Sequence, residues 1–505
     1  MRSPAEVAAL TSWHADWRGL KVAVLGLGVT GFSVADTLVE LGAEVLVFAS
    51  EADPQRSELL TVIGAGLVTR DLGADKTDDL SDFAPDLVVT SPGFPPSHPL
   101  IRWAEGSGVP VWGDVELAWR LRDKVGTPAP WLAVTGTNGK TTTVQLATSM
   151  LIADGKRAIA CGNVGVPVLD AIRDPIGWDV IVVELSSFQL HHTHSMSAHS
   201  SVCLNVADDH LDWHGSAAAY TEAKAKVYRQ TQVAAVFNHD DAVTMRMVEN
   251  ADVVDGCRAI GFGLGVPGPS DFGVVEGILC DRAFLDDRHS TALEIITVEE
   301  LGGVGLGSPH QAANVLAAAA LVRSLGTSVS AVRSALLGFE LDHHRTELVA
   351  SGHGIRWVND SKATNPHAAV AALASFRSVV WIVGGLLKGV AVDELVARHV
   401  GRLRAVVIIG VDRAELRDAF ARHAPAIPVF EVETTDTEEV MPSAVSLSAA
   451  AALSGDVVLL APAAASMDQF DNYADRGNRF ASAVREFLGD EADDDQSPPP
   501  PAARP

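Results

Sequence analysis

The chain has 505 residues, 47% of them apolar, which is enough for several hydrophobic cores and sets a prior of about three domains. A formal net charge of −26 excludes general affinity for nucleic acid or anionic membrane, because the field of the whole molecule repels both; any phosphate site has to be local. No apolar run approaches the ~18 residues of a membrane span, and Met1 to Leu20 carries Glu6, Asp16 and two arginines where a signal peptide has its apolar stretch, so a cytoplasmic protein is expected.

The four cysteines (Cys161, Cys203, Cys257, Cys280) lie far apart with no C-x-x-C pair, which predicts core residues, with neither a disulfide framework nor a cysteine zinc site. Gly489 to Pro505 is acidic and proline-rich, lacks apolar surface to bury, and reads as a disordered tail.

In chain order, Lys21–Leu25 is predicted to be a buried strand, and Gly26-Leu-Gly28-Val-Thr30-Gly31 opens the helix after it, matching G-x-G-x-x-G. A second strand at Val45–Phe48 is followed by Glu51, where a ribose-binding acid falls in dinucleotide-binding folds. The strand Asp86–Thr90 then runs into Ser91-Pro-Gly93, a loop at the same sheet edge. These residues support a diphosphate ligand and leave the choice of dinucleotide open; tight helix–strand packing is the alternative use of the glycines. Val125–Pro130 reads as a linker.

Trp131-Leu-Ala-Val-Thr-Gly136-Thr137-Asn138-Gly139-Lys140-Thr141-Thr142 reads as a phosphate cradle. A buried strand delivers the chain to a turn where two glycines let N–H groups point inward, with the next helix starting at Lys140 or Thr141. Lys140 offers a point charge for β/γ-phosphates and Thr141 a hydroxyl for Mg²⁺. Val134 stands where the full Walker pattern has glycine, so the match is to the shorter form T-G-T-N-G-K-T. Strands are expected at Asp179–Glu184 and Ser201–Val206. Glu184, closing an apolar run beside the cradle, is a candidate metal ligand. Ala207–His214 packs three carboxylates and two histidines into eight positions, of which His210 is the candidate site residue, whereas His191, His192 and His194 read as structural or exposed.

On a predicted helix Ser216–Gln230, Lys224 shares a face with Tyr220, Val227 and Tyr228, which should be buried, while Lys226 lies about 200° around and is expected to face water. Lys224 either snorkels past the tyrosines or brings its nitrogen, charged or modified, to the nucleotide site. Glycine-rich stretches at 261–273 and 302–307 precede a helix from about Pro309, where Asn314 stands among alanines and needs either a base edge or a helix–helix hydrogen bond.

Leu341–Glu347 reads as a polar hinge. Strands at Ile355–Val358, Val379–Val383, Ala405–Ile409 and Val457–Leu460 alternate with helices, predicting a further parallel α/β layer. Its loops carry Lys362, Lys388 and Ser466. The cations Lys362, Lys388, Arg345 and Arg476, near turn residues in an acidic protein, suit anionic substrates.

The segments GLGVTGFS, TGTNGKTT, CGNVGVP, ELSSFQL, DDHLDWH, YTEAKAK, DHHRTE, NDSKATNPHA, GGLLKG and APAAASMDQFDNYADRGNRF together resemble the ATP-dependent Mur ligase family in order along nearly the whole chain. The resemblance implies an α/β protein with a Rossmann-like N-terminal domain for a UDP-substrate (1–127), a central P-loop ATPase-like mononucleotide-binding domain (128–340) and a Rossmann-like C-terminal domain for an amino acid (341–488), followed by the tail (489–505). It implies ATP and two Mg²⁺ as cofactors, UDP-N-acetylmuramoyl-L-alanine and D-glutamate as substrates, and amide formation through an acyl phosphate in peptidoglycan precursor synthesis, by a monomer. Ligation of another amino acid by a Mur-type or folylpolyglutamate-type enzyme is the alternative, and a nucleotide-binding redox or regulatory protein is a different class. By resemblance, Gly28, Thr30, Gly31, Ser91, Gly93 and Asn163 hold the UDP-substrate. Gly136, Thr137, Asn138, Gly139, Lys140, Thr141, Thr142, Asn314, Arg345 and Asp360 hold ATP. Thr141, Glu184, His210 and a carbamylated Lys224 serve the metals; Lys140, His210, Lys224 and Lys362 are catalytic; and Thr364, Lys388, Ser466, Met467 and Tyr473 address the amino acid. Tyr473 stands where the family often has Phe, and Gly-Gly-Leu-Leu-Lys lacks an Asp sometimes found after the glycines.

Overall fold

The computed structural model describes residues 2–69, 77–340 and 343–489. The first two residues of the expected hinge, Leu341 and Asp342, and the expected tail beyond Gly489 lie outside the described residues. The described residues form two compact units, one within 2–206, 213–301 and 311–339, the other within 207–212, 302–310 and 340–489.

The first unit holds two sheets. Strands β1 (Lys21–Leu25), β2 (Glu44–Ala49), β3 (Gly66–Thr69), β4 (Leu87–Thr90) and β5 (Val111–Gly113) pair in the order β3-β2-β1-β4-β5, all parallel. Its central strands are buried on both faces, as helix-covered parallel strands are. The order reverses between β1 and β4, and a crevice for ligands opens at such a switch point. The second sheet comprises β6 (Trp131–Thr135), β7 (Ala158–Gly162), β8 (Val180–Glu184), β9 (Ser200–Cys203), β10 (Ala234–Asn238), β11 (Arg258–Phe262), β12 (Asp271–Val275), β13 (Ile278–Asp281) and β14 (Leu293–Thr297), in the order β14-β13-β12-β11-β10-β9-β6-β8-β7. The sheet is parallel from β7 to β12, and its last three strands are antiparallel. One apolar core runs through both sheets, taking Val24, Val47 and Trp112 from the first and Ala133, Ile181 and Cys203 from the second.

The glycine-rich stretch at 261–273 is therefore strand as well as loop. A Cβ on Gly273 would lie 2.3 Å from the Gly265 carbonyl oxygen, so close backbone approach accounts for glycine there. Two expected elements are shorter than anticipated. The strand from Ser201 stops at Cys203, and the bonds from Leu204 N–H to Thr135 O and from Thr137 N–H to Asn205 O lead on from it to the loop after β6. The helix expected over Ser216–Gln230 is α-helical over Ala217–Ala225 and winds as a 3₁₀ turn over Lys226–Tyr228. That tighter winding turns Tyr228 to the sheet, where its hydroxyl accepts from Cys203 N–H (2.9 Å) and donates to Val236 O (2.6 Å). It also corrects the expectation for Lys226: the side chain is half-buried, its ammonium donating to the His191 carbonyl, and burial lowers its pKa.

The second unit holds β15 (Glu347–Gly352), β16 (Ile355–Asn359), β17 (Val379–Gly384), β18 (Leu403–Ile409), β19 (Val429–Glu431) and β20 (Val457–Leu460), in the order β15-β16-β20-β17-β18-β19. All pairs are parallel except the β15–β16 hairpin. Apolar clusters cover both faces, Trp381 in one and Trp357 in the other. Of the cysteines, Cys161, Cys203 and Cys280 are buried and Cys257 partly so, all as free thiols. Among the described residues no helix is long and apolar enough to cross a membrane.

Candidate nucleotide and substrate sites

At the switch point of the first sheet, Gly26 turns the chain with φ of 97° and the helix Val29–Glu40 begins after Gly28, which has no side-chain cap. Inside that helix a Cβ on Gly31 would lie 1.9 Å from the Gly26 carbonyl oxygen and 3.2 Å from Ser91 Oγ, whereas one on Gly28 or Gly93 would meet nothing within 4 Å. Packing thus demands Gly31, and open space surrounds Gly28. Ser91 Oγ is buried against this turn without a hydrogen-bond partner among the described residues, so it is available to a ligand. Thr30 is half-buried on the same turn.

The loop after β6 is flanked by β8 on one side and β9 on the other, which brings Glu184 and the chain after Cys203 alongside it. Gly136 and Gly139 have φ of 149° and 85°, and the helix Lys140–Ala153 starts at Lys140 as expected. A Cβ on Gly139 would come within 2.4 Å of Asn314 Oδ1, which makes Asn314 part of the loop's wall. Its Nδ2 donates to Gln311 Oε1 (3.2 Å), so the amide has a partner within its own helix. Lys140 Nζ donates to the carbonyls of Gly136 and Thr137, each at 2.9 Å.

Lys224 is 2% exposed, as its helical face predicts; its ammonium lies 4.7 Å from the Tyr220 ring centroid and donates to Gly136 O at 2.9 Å. Tyr220 in turn exchanges a hydrogen bond with Thr137 Oγ1 (2.9 Å). Two lysines thus converge on one carbonyl oxygen. Their mutual repulsion, weakly screened at a buried site, would be relieved by an anion in the loop.

Glu184 is 2% exposed; Oε1 accepts from Asn163 Nδ2 (3.0 Å), and Oε2 has no hydrogen-bond partner among the described residues. A buried carboxylate oxygen without a donor is suited to a hard cation. Thr141 is buried at the start of the helix, and the neighbouring Thr142 Oγ1 is buried without a partner. Among the described residues no cluster of three or more His, Cys, Asp or Glu forms a ready-made cage. The residues present fit Mg²⁺, which takes one or two protein oxygens and completes its shell with phosphate and water. Asn163 is at Glu184: its N–H also donates to Glu184 O (2.9 Å).

Burial drives His191 down to about 4 and His192 to about 3, so both are neutral structural groups. Asn205 carries no pattern that singles it out from sequence. Thr137 N–H donates to its carbonyl (2.9 Å), Asn138 N–H to its Oδ1 (2.9 Å), and its Nδ2 donates to Asn138 O (3.1 Å).

In the second unit, His210 adopts φ of 53°, an uncommon conformation for a residue with a Cβ. Its N–H donates to Asp209 Oδ1 (2.9 Å), and its Nε2 lies 3.6 Å from Asp209 Oδ2. Asp209 is also held by Asn365 Nδ2 (3.3 Å). Asp360 accepts from Thr346 N–H (3.1 Å); burial raises its carboxyl to about 6, while Arg345 acts the other way. Lys362 Nζ lies 3.8 Å from the Tyr473 ring centroid, a cation–π contact. Thr364 follows it, half-buried. Lys388 is left-handed at φ of 55° after β17; Ser466 is buried after β20, and Met467 is 68% exposed.

Arg476, expected among the cations suited to anionic substrates, is engaged by the protein itself. It is 1% exposed and donates to Ser361 Oγ (3.0 Å), Ser361 O (2.9 Å) and Ala464 O (3.1 Å), tying together the loops after β16 and β20, and burial lowers its pKa to about 9.

A parallel strand, a glycine turn, a lysine at a helix start and a buried carboxylate on the adjacent strand define a nucleotide-binding α/β protein of the phosphate-loop class. Residues 20–113 match the Mur ligase MurD-like N-terminal domain, 134–322 the Mur ligase middle domain, and 344–464 the glutamate ligase domain of Mur ligases. A UDP-N-acetylmuramoylalanine--D-glutamate ligase from Leifsonia xyli is 61% identical over 97% of each chain. One of the same name from Streptomyces avermitilis is 52% identical over 93% of this chain and 99% of its own. In fold, the UDP-N-acetylmuramate-alanine ligase of Thermotoga maritima superposes with a TM-score of 0.54 at 20% identity, covering 92% of this chain and 99% of its own. The chain belongs to the Mur ligase family.

Proposed function

We propose that the chain is an ATP-dependent, ADP-forming ligase that adds D-glutamate to UDP-N-acetylmuramoyl-L-alanine, a cytoplasmic step of peptidoglycan precursor synthesis, acting as a monomer. The observation that carries this reading is the Gly136–Thr141 turn with Lys140 and Lys224 converging on it beside the open oxygen of Glu184. The choice of D-glutamate rests on the near full-length relatives bearing that name.

Amide formation from a carboxylate needs an activated acyl group. A carboxylate oxygen of the UDP-substrate attacks the γ-phosphorus of ATP, ADP leaves, and an acyl phosphate results. The amine of D-glutamate then attacks the acyl carbon, inorganic phosphate departs, and the nitrogen loses its proton. Phosphoryl transfer is mainly a matter of positioning and charge stabilisation. In this reading Lys140 and Lys362 balance charge on the moving phosphoryl. Gly136–Gly139 with the N–H groups of Lys140, Thr141 and Thr142 cradle the phosphates, and Asn314, Arg345 and Asp360 hold the adenosine. Thr141, Glu184, His210 and Lys224 as a carbamate would hold Mg²⁺, which supplies charge neutralisation on the phosphates. Carbamylation also removes one of the two positive charges on Gly136 O. Gly28, Thr30, Gly31, Ser91 and Gly93 receive the UDP-substrate, with Asn163 contributing through its place beside Glu184. Thr364, Lys388, Ser466, Met467 and Tyr473 address the amino acid. His210 is the candidate base for the amine.

The test is phosphate release from ATP with UDP-N-acetylmuramoyl-L-alanine and a panel of amino acids. Release with D-glutamate alone is expected; dependence on another amino acid overturns the assignment.

A further inference from the structure

We propose that Asn205 is the positioning residue that sets the conformation of the phosphate loop and so decides which backbone donors receive the nucleotide. The inference rests on the reading of that loop as the ATP site.

The parallel pairing of β6 with β9 ends at Thr135 opposite Cys203. Beyond that pair the chain after β6 turns away, and two glycines with positive φ would leave a short loop with many accessible conformations. Two more backbone bonds continue the ladder, from Leu204 N–H to Thr135 O (2.9 Å) and from Thr137 N–H to Asn205 O (2.9 Å). At the next step the Asn205 side chain takes over from the backbone: its amide accepts Asn138 N–H on Oδ1 and donates to Asn138 O from Nδ2, at 2.9 and 3.1 Å. A primary amide offers an acceptor and a donor side by side, as a strand does, and satisfies both polar groups of one residue.

The clamp is braced from behind. Asn238 Nδ2 donates to Leu204 O (2.9 Å), and Val206 N–H donates to Asp241 Oδ2 (2.7 Å), so the residues on either side of Asn205 are fixed to the end of β10 and the turn after it. Preorganisation of this kind lowers the ordering cost at the moment of binding.

The clamp also partitions the donors. With the N–H groups of Thr137 and Asn138 engaged by Asn205, these two residues shape the cradle without offering those two backbone donors to phosphate. Phosphate is directed to the start of the helix Lys140–Ala153, whose N-cap residue Gly139 has no side-chain cap. The helix dipole and Lys140 act at that same end. The clamp thereby gives this shorter loop, which has Val134 where the full Walker pattern has glycine, a fixed shape from outside its own sequence.

The side-chain chemistry is specific. Aspartate keeps the acceptor but sets a carboxylate oxygen against Asn138 O and adds negative charge near phosphate; alanine removes both bonds. The full-length chain carrying Asn205→Ala or Asn205→Asp is to be titrated with ATP by calorimetry, and the same preparations with UDP-N-acetylmuramoyl-L-alanine. ATP affinity should fall about ten-fold or more in the alanine variant and further in the aspartate variant. The KM for ATP should rise in step, and affinity for the UDP-substrate should stay within about two-fold. A merely structural role would lower both affinities together, and that result, or unchanged ATP affinity in the alanine variant, overturns the proposal. Absence of ATP binding by the unsubstituted chain would instead remove the reading of the loop, and this inference with it.

Discussion

The turn after β1 and the turn after β6 both carry a parallel strand into a helix through glycines with positive φ, Gly26 in the first and Gly136 and Gly139 in the second. Both sit where a parallel sheet opens to ligands. They differ in charge. No lysine stands between Gly26 and Gly31, and the polar group turned to that loop is a neutral hydroxyl, Ser91 Oγ. At the second turn two lysines meet on one carbonyl, with a carboxylate beside the loop. Glycines report only that backbone comes close to something. In the proposed reading the charged residues around them separate a turn that holds a ligand from one that also does chemistry on it, and the first motif by itself suits any dinucleotide protein.

The largest expected effect falls on the charged turn. Lys140→Ala should lower phosphate release by at least about 10³-fold, because charge stabilisation at a developing phosphoryl is lost. Affinity for the UDP-substrate, measured by calorimetry, should be unchanged; an equal loss there would mean that Lys140 acts through the fold. Next is His210→Ala, expected to cost about 10²-fold in turnover. Unchanged turnover in this variant would take His210 out of the mechanism.

What could be read without coordinates follows from how local each signal is. The strand, glycine turn and helix around Lys140 were legible because all the residues that make the shape are adjacent. Lys224 was legible because helical periodicity alone places it with Tyr220 and Tyr228. Glu184 was legible as a charge interrupting an apolar strand. Asn205 was not, since an asparagine after a strand has no pattern, and its meaning depends on Asn138, 67 residues away. Arg476 was misread for the same reason: its partners are the carbonyls of Ser361 and Ala464, and nothing in its own helix announces them. The end of β11 and the start of β12 were hidden by the glycines of 261–273, which read as loop although Gly273 is set by close packing against Gly265 and Pro267.

A pair of substitutions separates the two uses of glycine within the uncharged turn. Gly31→Ala forces a Cβ to within 1.9 Å of the Gly26 carbonyl. Backbone has to move, so stability should fall by about 3 kcal/mol or more and UDP-substrate affinity with it. Gly28 has φ of −78° and open space around it. Gly28→Ala should therefore change unfolding free energy by no more than about 0.5 kcal/mol. Any loss of UDP-substrate affinity in that variant then reports the ligand itself, and wild-type affinity would mean that the diphosphate lies elsewhere.

A change smaller than the loss expected at Gly31 tests the joint between the two sheets. Asp114 begins the helix after β5, is buried, and accepts from Gln189 Nε2 (2.9 Å) on the helix that follows β8, so it links the two sheets of the first unit. Its other oxygen has no hydrogen-bond partner among the described residues, and burial pushes the carboxyl from 3.8 to about 6. A carboxyl whose folded pKa is raised holds its proton more tightly in the folded state. Its stabilising contribution is therefore complete below about pH 4 and is lost as pH rises through about 6. A tenfold change in proton affinity corresponds to ~1.4 kcal/mol, which sets a ceiling of about 3 kcal/mol; relaxation of the site brings the expected value to about 2 kcal/mol. Asp114→Asn keeps an acceptor for Gln189 and does not titrate. Relative to the unsubstituted chain, the variant should gain stability between pH 4 and 7.5 in denaturant unfolding. Parallel pH profiles would mean that Asp114 stays charged in the joint and that the Gln189 bond is strong enough to hold it so.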